Sequence, residues 1–474
     1  MNNHMKRSIA YISAFIMIWA VWFFLCPNYL RMLEGFDFFT TLPDFWNLNL
    51  EIPKPVFMYV SAFLLQFYAI PAVAAGIQAL LTLLQVLCVD TVVRIFFKDS
   101  DRLHWISFIA TPFFTVLLCR ELSLTGVLIC LAASACAAIV MRLATLKMKP
   151  LIQVPAFMRN CWVGAAVIVL AVSASGFVIY KKHVNTGVEK MSYLDHLVEE
   201  KEWEKILDTV TPNDAVRNTY MRRCALLAMI QTGQLGDKAF MYGLSGLNDY
   251  FYDKPEIPIL RNFNMKFYSN IGMYCPAIYY SYQQATLFLL SMSFNSARSL
   301  ADIYLQVKDY DLAKKYLEIL SNTTCHSKWV KDRLPELEAI RNATPVYAAN
   351  KDKNVFGSFK YDLPVMMDRY PEDSRYVHMY LCGLLADKQG GLFYERFCDT
   401  LASEYAEGKK MPKAYQEAVL MALSSRPEEL KKHNIDPEMK EKFMDFVQLV
   451  STGRDAVAKR KYAGSYWAYL YFSR

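Results

Sequence analysis

The sequence predicts an all-α protein: a bundle of membrane-spanning helices, then a soluble half built from paired helices. Three observations predict it. Uncharged apolar runs of 17–20 residues crowd the N-terminal third. Beyond Tyr193 the apolar residues recur at three- and four-residue spacing, and no sustained period-two alternation occurs anywhere. The chain therefore divides into a transmembrane domain, 1–183, and a soluble domain, 184–474.

The first run, residues 8–25, follows Lys6 and Arg7 and carries no charge. Bulky Trp22, Phe23, Phe24 and Leu25 stand where a signal peptidase needs small residues, so it reads as an uncleaved first span. Further spans are expected at 103–119, 122–141 and 161–180. The stretch 56–93 is too long for one crossing of a ~30 Å hydrocarbon core. Pro71 is expected to break it into a re-entrant or interfacial piece and a spanning piece, making about five spans. Small residues, such as Ala132 to Ala138 and Gly164 to Ala166, favour close helix contact in a compact bundle or a homo-oligomer.

Basic residues in short loops resist translocation. Lys6 and Arg7, then Arg94, Lys98 and Arg102, then Arg142, Lys147, Lys149 and Arg159 mark one face as cytoplasmic. The acidic loop Pro27–Pro55 and the Arg120–Glu121 turn lie opposite. The Arg142–Arg159 loop is the most basic and one span follows it, which sets the C-terminal domain outside, in the periplasm of a bacterial inner-membrane protein, whether or not Pro71 breaks the second region. Net charge supports the division: up to His183 there are 14 Lys and Arg against 8 Asp and Glu, leaving 38 against 37 beyond. A tail so near neutrality offers no footprint for nucleic acid.

In the soluble half the clearest unit is 294–325, FNSARSLADIYLQVKDYDLAKKYLEILSNTTC. With Ala313 at the crossing point, Ala297, Leu300, Ala301 and Tyr304 fall on one buried stripe and Tyr310, Leu317 and Leu320 on the other. Lys308 and Asp309 form the turn. This unit resembles a tetratricopeptide repeat, and weaker relatives around Trp203, Gly233, Gly390 and Lys413 to Val450 extend it toward an α-solenoid. Taken with Tyr59 to Leu80 and the terminal Ser465 to Tyr471, the arrangement resembles an uncharacterised family of bacterial polytopic membrane proteins with a tetratricopeptide-like C-terminal half. That resemblance implies a fold and an inner-membrane location and carries no catalytic residues.

The residues that do chemistry are sparse. None of the seven histidines forms an i, i+4 pair, and the five cysteines beyond Cys161 show no regular spacing, so no metal is expected. Glycine loops for nucleotides and nucleophile elbows are missing, so no cofactor is expected. Cys325 and His326 are neighbours without an evident third partner. Asp90, one turn before Arg94, reads as an interfacial pair or, for a small transporter, an intramembrane ion site. Polytopic glycosyltransferases that use lipid-linked donors resemble this chain in carrying acids on the first outer loop, which makes Glu34, Asp37 and Asp44 the candidates under an enzyme reading.

Aromatic residues Tyr268, Tyr274, Tyr279, Tyr280, Tyr282 and Tyr310 are the candidate partner-binding positions, since rigid amphipathic rings anchor peptides and glycans well. The sequence favours binding over reaction. The expectation is a membrane-anchored helical-repeat scaffold that meets protein partners at the outer face of the cytoplasmic membrane, in an envelope or polymer-export assembly.

Overall fold

The computed structural model describes residues 3–97, 103–120, 122–145, 160–253, 255–287, 292–346 and 359–473. Lys98, Arg102, Glu121, Lys147, Lys149 and Arg159 lie outside the described residues. The chain is 77% helical, and no strand occurs among the described residues.

Two compact units form, and they do not divide at residue 183. The first joins 1–196 to 281–346; the second joins 197–280 to 347–474. The hairpin at 294–321, together with the helix Ser327–Ala339 that follows it, therefore belongs to the same unit as the apolar N-terminal part of the chain.

Among the described residues of the first unit, four helices are long and apolar enough to cross a membrane: Met5–Leu25, Pro71–Phe96, Thr125–Ala144 and Cys161–Val184. Their outward faces are apolar. Phe24, Trp162 and Leu170 are 74%, 79% and 68% exposed, which in water would be costly and in lipid is ordinary. Pro71 stands at the first position of its helix, after the shorter helix Pro55–Leu65 and a tight turn at Gln66–Ala69. Proline has no N–H to give and its fixed φ suits a helix start, so the break falls there.

Side-chain pairs fix the helix directions. Arg7 meets Asp90 at 2.6 Å, and Trp19 Nε1 donates to the Ala72 carbonyl at 2.9 Å, so Asn3–Leu25 and Pro71–Phe96 run antiparallel. Tyr11 packs 5.4 Å from Phe108, and Gly164 lies under the Trp105 ring. His104 and Asn160 therefore begin their helices at the Arg7 end. The 104–118 segment consists of seven 3-10 residues and eight α-helical ones. The longer 3-10 rise stretches these residues to about 26 Å, nearly the length of a spanning helix.

The helix pair at 294–321 is built as its pattern dictates. Phe294–Gln306 and Tyr310–Ser321 bury Ala297, Leu300, Ala301 and Tyr304 against Ala313, Leu317 and Leu320. Lys308 takes φ +61 in the turn, and the Asp309 carboxylate caps the second helix by accepting from Leu312 N.

The second unit repeats this device. Lys388 (φ +58) joins Ser374–Ala386 to Gly390–Thr400, and Gly233 (φ +71) ends Thr219–Thr232 before Leu235–Lys238. Each short turn holds two helices antiparallel, so their apolar stripes face one another. Its core gathers Tyr250, Phe263, Phe267, Tyr415 and Trp467, all essentially inaccessible.

Candidate functional site

The loop that follows the first long apolar helix and the 294–321 hairpin meet at a polar junction inside the first unit. The helix Pro27–Gly35 starts at a proline, and Cys26 before it supplies no side-chain cap. Its first free amides need an acceptor. Glu189 provides one: Oε1 accepts from Asn28 N at 3.0 Å and Asn28 Nδ2 at 2.7 Å, and Oε2 accepts from Tyr29 N at 2.8 Å. Burial raises the Glu189 carboxyl above its ordinary range, and these hydrogen bonds pull it partly back.

The last turn of the same helix carries Glu34, 3% exposed. Its Oε1 is hydrogen-bonded to His326 Nε2, and its Oε2 lies 3.8 Å from Arg298 Nη2. Arg298 also donates to Asn295 Oδ1 at 2.9 Å. A Cβ on Gly35 would stand 2.5 Å from the Asn295 amide, so a larger residue there must push that amide out of its place beside Arg298. Beyond it the chain clamps both ends of the hairpin. Phe294 N donates to the Asp37 carbonyl at 2.8 Å, while Thr41 N and Thr40 Oγ1 donate to the Asn322 carbonyl at 3.2 and 3.0 Å. Phe38 and Phe294 pack at 5.1 Å.

Of the three candidate acids, Glu34 and Asp37 are brought to this junction and Asp44 is not. The Asp37 carboxylate accepts from Phe38 N at 2.7 Å. Burial raises its carboxyl to about 7, with the Glu34 charge adding a smaller push. Asp44 sits exposed in the first turn of Pro43–Leu50. His326 acquires the carboxylate partner that its sequence neighbours lacked. Cys325 beside it is not activated: burial, then the Glu34 charge, pushes its thiol up, whereas a nucleophile needs a lowered value. Among the described residues, no group of three or more His, Cys, Asp or Glu is placed to hold a metal ion.

A family model described as a family of unknown function, DUF6057, matches residues 3–186 and 148–473. The chain belongs to that family. No curated protein and no solved structure matches it.

In this DUF6057 chain the six candidate tyrosines are shared between the two units. Tyr268, Tyr274, Tyr279 and Tyr280 belong to the second unit, Tyr282 and Tyr310 to the first. Tyr268 and Tyr280 are buried and stacked at 5.6 Å, as core rings. Tyr274 is half-buried, and burial raises its phenol. Tyr279 and Tyr282 are 43% and 44% exposed, and they are the candidates that offer most surface. Tyr282 OH is bonded to Tyr316 OH at 2.9 Å, and Tyr310 packs under Arg341.

Asp90 pairs with Arg94 one turn on, and with a second arginine besides. It is 1% exposed, and its Oδ2 accepts from both Arg7 and Arg94, at 2.6 and 2.9 Å, joining two helices of the DUF6057 bundle. Glu189, Arg298 and His326 carry much of the junction; the sequence singled out His326 only as the neighbour of Cys325 and gave no role to Glu189 or Arg298. Only Glu189 left a sequence signal, since a helix starting Cys-Pro-Asn lacks its own cap.

Proposed function

We propose that the protein is a membrane-anchored scaffold whose helical hairpins, tetratricopeptide-like in kind, bind protein partners at the outer face of a bacterial cytoplasmic membrane. The observation that carries this reading is the state of the first-loop acids. Glu34 is buried and engaged by His326 and Arg298, so it positions the hairpin and is closed to substrate. Asp44 stands alone in solvent. The recurring left-handed turn residues Lys308, Lys388 and Gly233 support a series of related hairpins.

The sidedness rests on the positive-inside argument. Arg7 and Arg94 gather at one end of the bundle around Asp90, and Arg142 lies in the last turn of Thr125–Ala144. Counting 104–118 as a crossing gives five, so the two termini of the bundle lie on opposite sides. An impermeant thiol reagent on intact spheroplasts tests this at Cys398, which is exposed. Labelling before lysis supports the placement, and protection until lysis reverses it. Cys224 is buried and is no use as a reporter.

A second reading keeps an enzyme in play, because a carboxyl near 7 such as Asp37 suits general acid–base work beside a lipid-linked substrate. The two separate cleanly. The scaffold reading predicts that Asp37→Asn and Asp44→Asn variants, inserted and folded, restore a deletion strain, and that a photo-crosslinker at Tyr279 or Tyr282 captures a discrete envelope protein. Loss of complementation by Asp37→Asn, with the crosslinks unchanged, favours the enzyme.

A further inference from the structure

The C-terminal end of the second unit contains a cleft of about 450 Å³, within the size range of small-ligand sites. Its walls come from the helices Lys413–Leu423 and Pro437–Ser451 and from the segment leading into Tyr466–Phe472. Glu417 lines it and is 1% exposed. Glu417 Oε2 accepts from Tyr466 N at 2.6 Å, and the Glu417 carbonyl accepts from Trp467 Nε1 at 2.9 Å, so the residue is held on two sides. Its other carboxylate oxygen, Oε1, has no hydrogen-bond partner; the nearest cation, Lys413 Nζ, is 3.8 Å away. Leaving a buried carboxylate oxygen without a donor is costly, and a helix packed for stability alone would place an apolar residue there.

The rest of the lining says what donor fits. Lys413, Lys442 and Lys461 face Glu417, Glu441 and Asp445, so the formal charges cancel. A free anion entering would meet three carboxylates, and a free cation three ammonium groups. A neutral ligand with several hydroxyls meets donors and acceptors in alternation and leaves each charge compensated. The walls are already set: Lys461 Nζ and Tyr462 OH both donate to Asp445, at 2.9 and 2.6 Å, and Lys442 pairs with Glu438 at 2.6 Å. Buried Trp467, packed on Phe443 and Phe446, backs the cleft with a rigid apolar surface.

We infer that this cleft binds a neutral polyhydroxylated ligand, one or two sugar rings free or at the end of a glycan, with a ligand hydroxyl donating to Glu417 Oε1. Burial pushes the Glu417 carboxyl up to about 7, which marks the cost of keeping an acid at this position. The inference does not depend on the scaffold reading, since it concerns a small-molecule site and not a protein partner.

The test is calorimetric titration of the full-length protein in detergent micelles with maltose, N,N′-diacetylchitobiose and maltoheptaose, against lysine and inorganic phosphate. Saturable binding of at least one neutral sugar below about 10 mM is expected, with lysine and phosphate inert. Glu417→Gln keeps an acceptor for Tyr466 N but loses the charge, and should weaken sugar binding about tenfold or more. Lys461→Ala, at the exposed rim, should weaken it several-fold without touching the core. Tighter binding of maltoheptaose than maltose identifies a chain-reading site, and equal binding a site for a free sugar or chain end. No saturable binding by any neutral sugar, preference for lysine or phosphate, or indifference to both substitutions overturns the inference.

Discussion

Replacing Glu34 by alanine is the perturbation that most sharply probes how the first loop holds the hairpin. The carboxylate is 3% exposed, His326 is 5% exposed, and the Arg298 guanidinium completes the cluster. Removing the carboxylate leaves His326 buried without its acceptor, which costs about 3–5 kcal/mol when a buried pair is broken from one side, while Arg298 keeps Asn295. For a unit of this size about 1 kcal/mol moves the midpoint by roughly 2–4 °C, so a drop of roughly 6–20 °C follows. The assay is thermal unfolding of detergent-solubilised protein by tryptophan fluorescence, with Asp44→Ala as the control. Asp44 is exposed, so its loss should stay within about 0.5 kcal/mol. Adding His326→Leu to Glu34→Ala should return part of the stability, because the orphaned partner is then gone. A Glu34→Ala midpoint no lower than that of Asp44→Ala refutes the reasoning.

Further outcomes follow from the same geometry. Gly35→Ala should destabilise by about 1–3 kcal/mol, because its methyl would overlap the Asn295 amide; protease cleavage of the hairpin at lower enzyme concentration reports it. Lys308→Gly should stabilise by about 1 kcal/mol, read as a higher thermal midpoint, since Lys308 holds a left-handed φ that costs a side-chain-bearing residue. Glu417 has a folded value of about 7, above the ordinary 4.5, so its contribution is fully present below about 4.5 and is lost as pH rises through 7. Glu417→Gln should therefore match wild type in acid and exceed it by up to about 3 kcal/mol at pH 8, measured by denaturation across pH.

Much of the architecture was legible because its causes are local. Uncharged runs long enough to cross lipid, Pro71 favouring a helix start, and the small Ala313 at a helix crossing act within a few residues of where they stand. What could not be read was which hairpin packs with which unit. The boundary drawn at residue 183 follows hydropathy, whereas the hairpin at 294–321 joins the N-terminal unit through contacts almost 300 residues apart, such as Glu34 with His326. Nothing in the pattern around His326 reports a distant carboxylate. Among the candidate acids, charge and spacing alone left Glu34, Asp37 and Asp44 equivalent; burial separates them. The tyrosines show the same limit, since Tyr268 and Tyr279 look alike in sequence and only packing makes one a core ring and the other a surface one. The cleft around Glu417 left no motif, because its lysines and acids come from separate helices.

The first loop and the 294–321 hairpin form one body. Spin labels placed at the exposed positions Asp44 and Glu318 test it by pulsed dipolar spectroscopy on the protein in lipid nanodiscs. A single narrow distance distribution, broadened by Glu34→Ala, is the expected result. A broad distribution in the otherwise unaltered protein would contradict the account.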